Sequence, residues 1–319
     1  MARTPPGRSC PRHYRYSPAV FARAADLEAQ SLYIVGGLYG NPFALEAVLA
    51  MARREGATLV FNGDFNWFDV DPAEFEGVNE AVLEHLALRG NVETEIAGED
   101  SGAGCGCAYP EWVGDAEVER SNEILRRLRE TASAYPRLRE RLAALPMHLV
   151  AEIGGLRIGI VHGDAESLAG WQFSQEALRE RPERMGALLA GAAIDVFACT
   201  HTCLPVMQDF ATPRGTALIV NNGAAGMPNF RDTHFGLATR IAGTPSTQAL
   251  YGARLGATVV EAVPVRYDYE AWMARFDRVW PAGSPASLSY RKRIGSGPGY
   301  EVEQAVRTGA RTGAFSRAA

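Results

Sequence analysis

The chain has 319 residues, 47% of them hydrophobic, and a formal net charge of −5. This length is enough for one large domain or two ordinary ones, and the negative charge argues against bulk attraction to nucleic acid or anionic membranes. No run of residues approaches the roughly 18–20 consecutive apolar residues of a membrane span.

The cysteines and the first residues indicate the compartment. Five cysteines, an odd count in a chain of this length, argue against a disulfide framework and indicate a reducing environment. Residues 1–18 are basic and rich in proline but have no apolar core, so they are not a secretory signal. We therefore expect a cytoplasmic protein with no membrane partner.

Residues 32–64 predict the unit around which the chain is organised. An apolar run over 32–35 ends in two glycines, and residues 42–53 then have the apolar spacing of a helix. A second apolar run over 58–61 leads directly to Asp64. This pattern predicts two parallel strands joined by a right-handed crossover. Since parallel strands place ligands at their carboxyl ends, Asp64 is expected in a site.

The rest of the chain predicts further helices and strands around this unit. Helices are expected over 79–88, 116–133, 136–145, 173–190 and 267–280, a hairpin over 147–153 and 156–161, strands over 193–198 and 217–220, edge strands over 236–241 and 257–265, and a loop over 94–114. We expect residues 1–26 to be a loose N-terminal arm, 27–280 to be one domain with a helical insert at about 94–146, and 281–319 to be a partly ordered C-terminal tail.

Polar residues beside glycine, or beside a second polar group, follow the predicted core elements. These residues are Asp64, Asn91, His162 and His201. One carboxylate, one amide and two imidazoles suit a borderline divalent ion such as Mn²⁺, Fe²⁺ or Zn²⁺. Each residue alone has an ordinary explanation as a cap, a turn or a packing residue. The signal comes from the ordered set.

Five short blocks extend this pattern. They are GLYGN at 37–41, GD at 63–64, GNVE at 90–93, HG at 162–163 and THTC at 200–203. In their order and spacing the blocks resemble those of the calcineurin-like metallophosphoesterases, especially the bacterial phosphodiesterase-like branch. The likeness covers roughly residues 32–240. It implies a four-layer α/β/β/α sandwich of two mixed sheets flanked by helices, with metals at one edge.

The resemblance also implies two metal sites that share Asp64. The residues matching the first site are all retained, and they are Asp64, Asn91, His162 and His201. The second site has lost its usual ligands, since Gly37, Tyr39 and Cys203 stand at those positions. Val92 stands where the family often has a histidine that donates a proton. This loss weighs less, because the phosphodiesterase-like branch commonly lacks that histidine.

Three hypotheses follow for the activity. In the first, a phosphomonoesterase or phosphodiesterase uses one ion and a metal-activated water, with Asp64, Asn91, His162 and Glu93 as its catalytic residues. In the second, Tyr39 and Cys203 rebuild an altered site for a second ion. In the third, an inactive protein of this fold binds metal or a phosphorylated ligand in a regulatory role. We expect a small phosphorylated substrate and no nucleic acid. The oligomeric state stays open, with a homo-oligomer among the states considered.

Other side chains receive supporting roles. Glu93 is expected to orient a metal ligand, and Arg89 and Arg231 are candidates for balancing substrate charge. Trp67 and Phe68 either form the rim of the pocket or simply pack beneath their loop. Two pairs of cysteines, Cys105 with Cys107 and Cys199 with Cys203, could together hold a structural zinc. Neither pair has the usual C-x-x-C spacing, so independent thiols are favoured.

Overall fold

The computed structural model describes residues 5–99, 102–307, 309 and 311–312. Its α-helices are α1 Pro42–Glu55, α2 Pro72–Val82, α3 Asn91–Ala97, α4 Asp115–Ser133, α5 Pro136–Ala143, α6 Ala177–Glu180, α7 Pro182–Ala192, α8 Tyr269–Val279, α9 Pro285–Ser296 and α10 Val302–Ala305. Its strands are β1 Leu27–Glu28, β2 Ser31–Val35, β3 Thr58–Asn62, β4 Leu86–Leu88, β5 His148–Ile153, β6 Leu156–Val161, β7 Val196–Cys199, β8 Val206–Thr212, β9 Gly215–Asn221, β10 Gly236–Ala242, β11 Tyr251–Leu255, β12 Thr258–Val265, β13 Val306–Arg307 and β14 Arg311–Thr312.

Two mixed sheets of seven strands each form the centre of the molecule. In the first sheet the strand order is β1-β5-β6-β7-β9-β8-β13, and in the second it is β14-β11-β12-β10-β2-β3-β4. The predicted parallel pairing of β2 with β3 is confirmed, with Leu32 opposite Thr58. Each sheet also contains a run of three parallel strands, which are β6-β7-β9 in the first sheet and β2-β3-β4 in the second.

Three apolar layers hold the sandwich together. Between the sheets, fully buried side chains such as Val60, Ile160, Leu218 and Ile241 pack face to face. The outer face of the second sheet packs under α1, α2, α4 and α8. The outer face of the first sheet packs under α7 and Phe21. The predicted four-layer α/β/β/α sandwich is confirmed.

Helix α1 shows how local sequence sets an element. Asn41 accepts a hydrogen bond from the backbone N–H of Ala44 over 3.0 Å, and Pro42 follows at the first helical position. Gly56 ends the helix in the left-handed conformation, with φ 65°. Asp71 and Pro72 start α2 in the same way, although no helix start was predicted there.

Several predicted elements are wrong in type or position. The helix predicted over 79–88 begins at Pro72 and ends at Val82, and Leu86–Leu88 is a strand paired with β3. The helix predicted over 173–190 is split at Pro182, because proline cannot donate an intrahelical hydrogen bond. Part of the loop predicted over 94–114 belongs to helix α3.

The predicted edge strands are interior ones. Strand β10 lies between β12 and β2, and β12 lies between β10 and β11. Every residue of both strands is buried. Strands β8 and β11 were not predicted. Their pairing partners lie in other parts of the chain or follow a short turn, and these contacts rather than the local pattern define them.

The two terminal segments pack on the domain. In the arm, Tyr14 and Phe21 are fully buried, so the expectation of a loose arm is wrong for residues 5–26. In the segment after Pro281, helix α9 buries Ala286 and Ile294. Residues 1–4 of the arm and 313–319 of the tail lie outside the described residues. In the described part of the chain, no helix is both long enough and apolar enough to cross a membrane.

A buried ion pair ties helix α8 to the loop that follows β3. The Nη2 of Arg275 donates to Oδ1 of Asp69 over 2.9 Å, and both residues are almost completely buried. Arg275 also contacts Glu74. Burial raises the pKa of the Asp69 carboxyl, and the Arg275 guanidinium opposes that rise. The pair therefore holds the carboxylate in place within an apolar layer.

We expect Arg275→Met to destabilise the fold by roughly 3–5 kcal/mol, because the substitution leaves a buried carboxylate without its partner. One turn along the same helix, Arg278 pairs with Glu74 but is 64% exposed, so Arg278→Met should cost less than about 1 kcal/mol. Urea unfolding of the two variants measures the difference. Equal effects would show that the Asp69 pair does not contribute to stability.

Candidate metal centre

The polar residues predicted to form a site follow four strands, two from each sheet. Asp64 follows β3 and Asn91 follows β4 in the second sheet, while His162 follows β6 and His201 follows β7 in the first. In both sheets the two strands are parallel neighbours within their run. The face-to-face packing of the sheets therefore brings two pairs of carboxyl strand ends together at one edge.

The side chains of Asp64, Asn91 and His201 converge on the Nε2 atom of His162. This atom lies 3.1 Å from Oδ1 of Asn91, 3.1 Å from Nδ1 of His201 and 3.3 Å from Oδ2 of Asp64. Among the described residues, Asp64, His162 and His201 are the cluster whose carboxylate and imidazole atoms lie within 4.8 Å of one another. The structure thus brings together all four residues predicted to hold one metal ion.

Backbone carbonyls fix the orientation of the two imidazoles. Nδ1 of His162 lies 3.0 Å from the carbonyl oxygen of Asn62, and Nε2 of His201 lies 3.0 Å from that of Cys107. Each of these nitrogens can donate its proton outward, which leaves the other ring nitrogen facing the centre. This is the arrangement that imidazole ligands of metals commonly adopt.

The amide of Asn91 is oriented in the same way. Its Nδ2 donates to the carbonyl oxygen of Cys105 over 2.9 Å, so its Oδ1 faces the centre. The donor set is therefore two imidazole nitrogens, one carboxylate and one amide oxygen, which fits a divalent ion of the Mn²⁺, Fe²⁺ or Zn²⁺ type.

The protonation states around the centre also suit a cation. Burial and the neighbouring His162 lower the pKa of His201 to about 3, so this imidazole is neutral. Burial lowers the pKa of His162, but the Asp64 carboxylate outweighs burial and leaves it raised. For Asp64, burial raises the pKa, but His162 outweighs it and leaves it lowered. Metal ions bind neutral imidazole, so a proton and a cation compete for His162.

Two facing glycines allow the strand ends to approach. A Cβ atom on Gly63, where φ is 75°, would lie 2.5 Å from the backbone nitrogen of Gly90 and 2.7 Å from Nδ1 of His162. A Cβ atom on Gly90 would lie 2.3 Å from Oδ1 of Asp64. Any side chain at either position would separate the donors. Gly63 and Gly90 are therefore required for the close packing of the centre.

Glu93, which was predicted both among the catalytic residues and as an orienting residue, lies behind the centre. It is fully buried and does not line the cavity next to the centre. Its carboxylate accepts hydrogen bonds from the backbone N–H groups of Asp64, Phe65 and Gly90 and from the side chain of Asn66. Burial and the Asp64 carboxylate raise the pKa of Glu93 to about 7. Glu93 thus fixes the turn that presents Asp64, as expected of an orienting residue.

The positions that match the second metal site are filled differently. The hydroxyl of Tyr39 lies 2.9 Å from Sγ of Cys203. Burial raises the pKa of both groups, so both are neutral. A Cβ atom on Gly37, where φ is 64°, would lie only 3.1 Å from the Tyr39 ring and 3.2 Å from Cα of Ala224. The tyrosine ring therefore occupies space that a side chain at residue 37 would need.

Backbone strain is concentrated around this cavity. The described non-glycine residues with positive φ are Tyr39, Asp64, Ala108, Ala193, Cys203 and Asp232. Tyr39, Asp64 and Cys203 all line the cavity beside the centre. Such conformations cost roughly 1–3 kcal/mol each and cluster at functional sites in proteins.

We expect Gly37→Ala to destabilise the protein by about 1–3 kcal/mol more than Gly56→Ala, because only the first introduces an overpacked contact. The two glycines have nearly the same φ, 64° and 65°, but nothing lies within 4 Å of a Cβ atom at Gly56. The difference between the two variants in thermal unfolding reports the contact with Tyr39 and Ala224. Equal melting temperatures would mean that the Tyr39 ring moves aside freely.

A cavity of about 280 Å³ opens beside the four donors. Six aromatic side chains line it, and they are Tyr39, Trp67, Tyr109, Trp112, Trp171 and Tyr290. Among the described residues that line the cavity, Arg293 is the arginine, and no lysine is present. Arg293 and Tyr290 belong to α9, which the sequence placed in the tail. The loop over 102–113 supplies Cys107, Tyr109 and Trp112.

The structure therefore changes several assignments. Arg89 donates to the backbone of Ala143 and Arg231 pairs with Glu301, so neither of the expected cations lines the cavity. Arg293 lines the cavity instead, and no sequence motif indicated it. Trp67 lines the cavity, while Phe68 is fully buried beneath it.

The cysteines do not form a thiolate site. All five are free, and the metal-type cluster of the described residues contains no cysteine. Cys105 and Cys107 instead approach the centre through their carbonyl oxygens, which accept hydrogen bonds from Asn91 and His201.

Some solved structures share this architecture. No protein-family model matches the chain, and no curated protein does. A hypothetical protein from Pyrococcus horikoshii OT3 aligns with a TM-score of 0.56 and 18% identity over 85% of this chain and 99% of its own. A metallophosphoesterase from Sphaerobacter thermophilus aligns with a TM-score of 0.52 and 17% identity over 83% of this chain and 99% of its own.

The chain has the fold of the calcineurin-like metallophosphoesterases. This confirms the resemblance that the sequence blocks indicated. In the metallophosphoesterase fold of this chain, the retained blocks lie at one edge of the two sheets and supply the four converging donors. The altered blocks supply Tyr39 and Cys203 on the adjoining wall.

Proposed function

We propose that the protein is a metal-dependent phosphoesterase that works with one divalent ion on a small phosphorylated substrate. The observation that supports this most is the convergence of Asp64, Asn91 and the two histidines on one point beside a cavity. A divalent ion bound there polarises a phosphoryl oxygen and lowers the pKa of a water molecule. Manganese, iron and zinc all suit the donor set.

The residues of the chain then bind and orient the phosphate. Asn91 Oδ1 is held toward the centre by the bond from Nδ2 to the carbonyl of Cys105. Arg293, whose guanidinium donates to the carbonyl oxygens of Cys203 and Pro228, supplies the positive charge of the cavity wall. The neutral hydroxyl of Tyr39 can donate a hydrogen bond to a phosphoryl oxygen. Arg293 thus supplies positive charge, and Tyr39 a hydrogen-bond donor, on the side of the cavity where the resemblance implied a second ion.

The loss of the second site favours one other function. With Tyr39 and Cys203 hydrogen-bonded to each other, the protein is also suited to bind metal or a phosphorylated ligand without turnover, in a regulatory role. The two functions share the metal centre and differ in catalysis, so metal content and hydrolysis must be measured on the same preparation.

We expect the purified protein to bind about one ion per chain and to hydrolyse bis-p-nitrophenyl phosphate when Mn²⁺, Fe²⁺ or Zn²⁺ is added. Removing a ligand in His162→Ala should lower both metal content and activity, the latter by about 100-fold or more. His85→Ala, which changes an exposed histidine outside the centre, is the control. Elemental analysis and the assay give the two values. Metal without turnover would favour the regulatory function, and absence of metal would refute the mechanism.

We expect Cys203→Ala to keep its metal ion and to change activity by less than about tenfold, because the substitution removes two neutral hydrogen bonds, one with the Tyr39 hydroxyl and one to the carbonyl oxygen of His201. Cys10→Ala, at a cysteine that does not line the cavity, is the control. Elemental analysis of the variants distinguishes the two metal hypotheses. Two ions in the natural protein with one lost in Cys203→Ala would instead support a rebuilt second site.

A further inference from the structure

The aromatic side chains of the cavity form two connected groups. Trp171 contacts Tyr109 and Trp112, with ring centroids 6.0 Å and 5.6 Å apart. Trp67 contacts Tyr290 at 6.4 Å. Each group combines residues from distant parts of the chain, so the fold brings the rings together around one space. An aromatic wall of this kind provides stacking and edge-to-face contacts for a flat ligand group.

Trp171 joins this wall to the metal centre. Its ring lies 5.5 Å from the His201 ring in an edge-to-face contact, and its Nε1 donates to the carbonyl oxygen of Cys107. That carbonyl is the one that orients His201. At the other end, Trp112 is 68% exposed and forms the rim. The aromatic surface therefore extends from the metal centre to the solvent. A ligand whose charged end lies at the centre would have this surface alongside it.

The charges of the cavity indicate a singly charged ligand. Arg293 is the arginine of the lining, and Asp64 is the carboxylate at the metal centre. Glu117 also lines the cavity, but Arg120 at 2.6 Å balances its charge. Glu176 accepts a hydrogen bond from the neutral amide of Gln175, which does not balance its charge. With one divalent ion these groups leave a single net positive charge, which matches a phosphodiester monoanion better than a phosphomonoester dianion.

The size of the cavity limits the substituent. At about 280 Å³, it lies below the roughly 300–1,000 Å³ of sites for drug-sized ligands. A single compact ring fits within such a volume. The aromatic lining and the small volume thus point to the same kind of group.

We propose that the cavity binds a phosphodiester monoanion that carries a flat, uncharged aromatic substituent. The phosphate lies at the metal centre and Arg293, and the aromatic group packs against Trp171, Trp112 and Tyr109. This inference rests on the proposed function, whose substrate class it specifies.

Binding of matched phosphonates tests the proposal independently of turnover. The probes are the monomethyl esters of benzylphosphonic acid and of cyclohexylmethylphosphonic acid, which have the same charge and similar size but differ in aromaticity. Their carbon–phosphorus bond resists hydrolysis, and methanol release from the remaining methyl ester is measured in the same samples, so that only binding of the intact ester is counted. Calorimetric titration into the Mn²⁺-loaded protein should give a dissociation constant roughly fivefold or more lower for the benzyl ester, since stacking on aromatic side chains favours it.

Two variants locate the preference. In Trp112→Ala the preference for the benzyl ester should fall, because the exposed tryptophan contributes to the wall without belonging to the metal centre, while Trp171 and Tyr109 remain. Leu288→Ala removes another exposed apolar side chain, 64% exposed and outside the cavity, and should keep the preference.

Three results would overturn the proposal. They are equal binding of both esters to the natural protein, an unchanged preference in Trp112→Ala, and tighter binding of the monomethyl ester of 2-(trimethylammonio)ethylphosphonic acid. The last would indicate a site for cations. Hydrolysis of bis-p-nitrophenyl phosphate with any of these results would leave the phosphoesterase function standing. A benzyl preference without hydrolysis would leave the binding site standing and refute the catalysis.

Discussion

The metal centre depends on how closely two layers of backbone approach at one edge of the sandwich. Asp64 and Asn91 come from one sheet and the two histidines from the other, so the donors meet only if the strand ends almost touch. Glycine at residues 63 and 90 permits this approach, since a Cβ atom on either would contact backbone or ligand atoms below 3 Å. Backbone carbonyls and Glu93 then hold each donor in one orientation.

The fold and the four donors were predictable because their signals are local. Each donor follows an apolar strand and stands beside glycine or threonine in a short block, and the ordered blocks resemble one family. Errors arose where local pattern and tertiary context conflict. Leu86–Leu88 continues an apolar helical period in the sequence but pairs with β3 as a strand. Asn91 therefore follows a strand, as Asp64 does. Arg293 was missed because its role depends on the packing of α9, more than 80 residues beyond the last block.

The altered blocks behave as one unit. The resemblance implies an aspartate at residue 37 and a histidine at residue 39, where this chain has glycine and tyrosine. A Cβ atom on Gly37 would lie 3.1 Å from the Tyr39 ring. The thiol at residue 203 then pairs with that ring's hydroxyl. Three separate changes in the sequence thus produce one neutral, packed wall. A side chain at residue 37 would contact Tyr39, and Tyr39 contacts Cys203, so the three positions are linked through the tyrosine.

The cavity wall also depends on the N-terminal arm and on helix α9. The arm donates through Arg8 to the carbonyl oxygens of Pro110 and Val113, on both sides of Trp112. Helix α9 supplies Tyr290 and Arg293. The blocks at the strand ends therefore supply the four converging donors, whereas the arm, the loop over 102–113 and α9 supply or support the rest of the cavity wall. Under the function proposed above, these outer segments would set specificity, because they complete the cavity beside the strand ends.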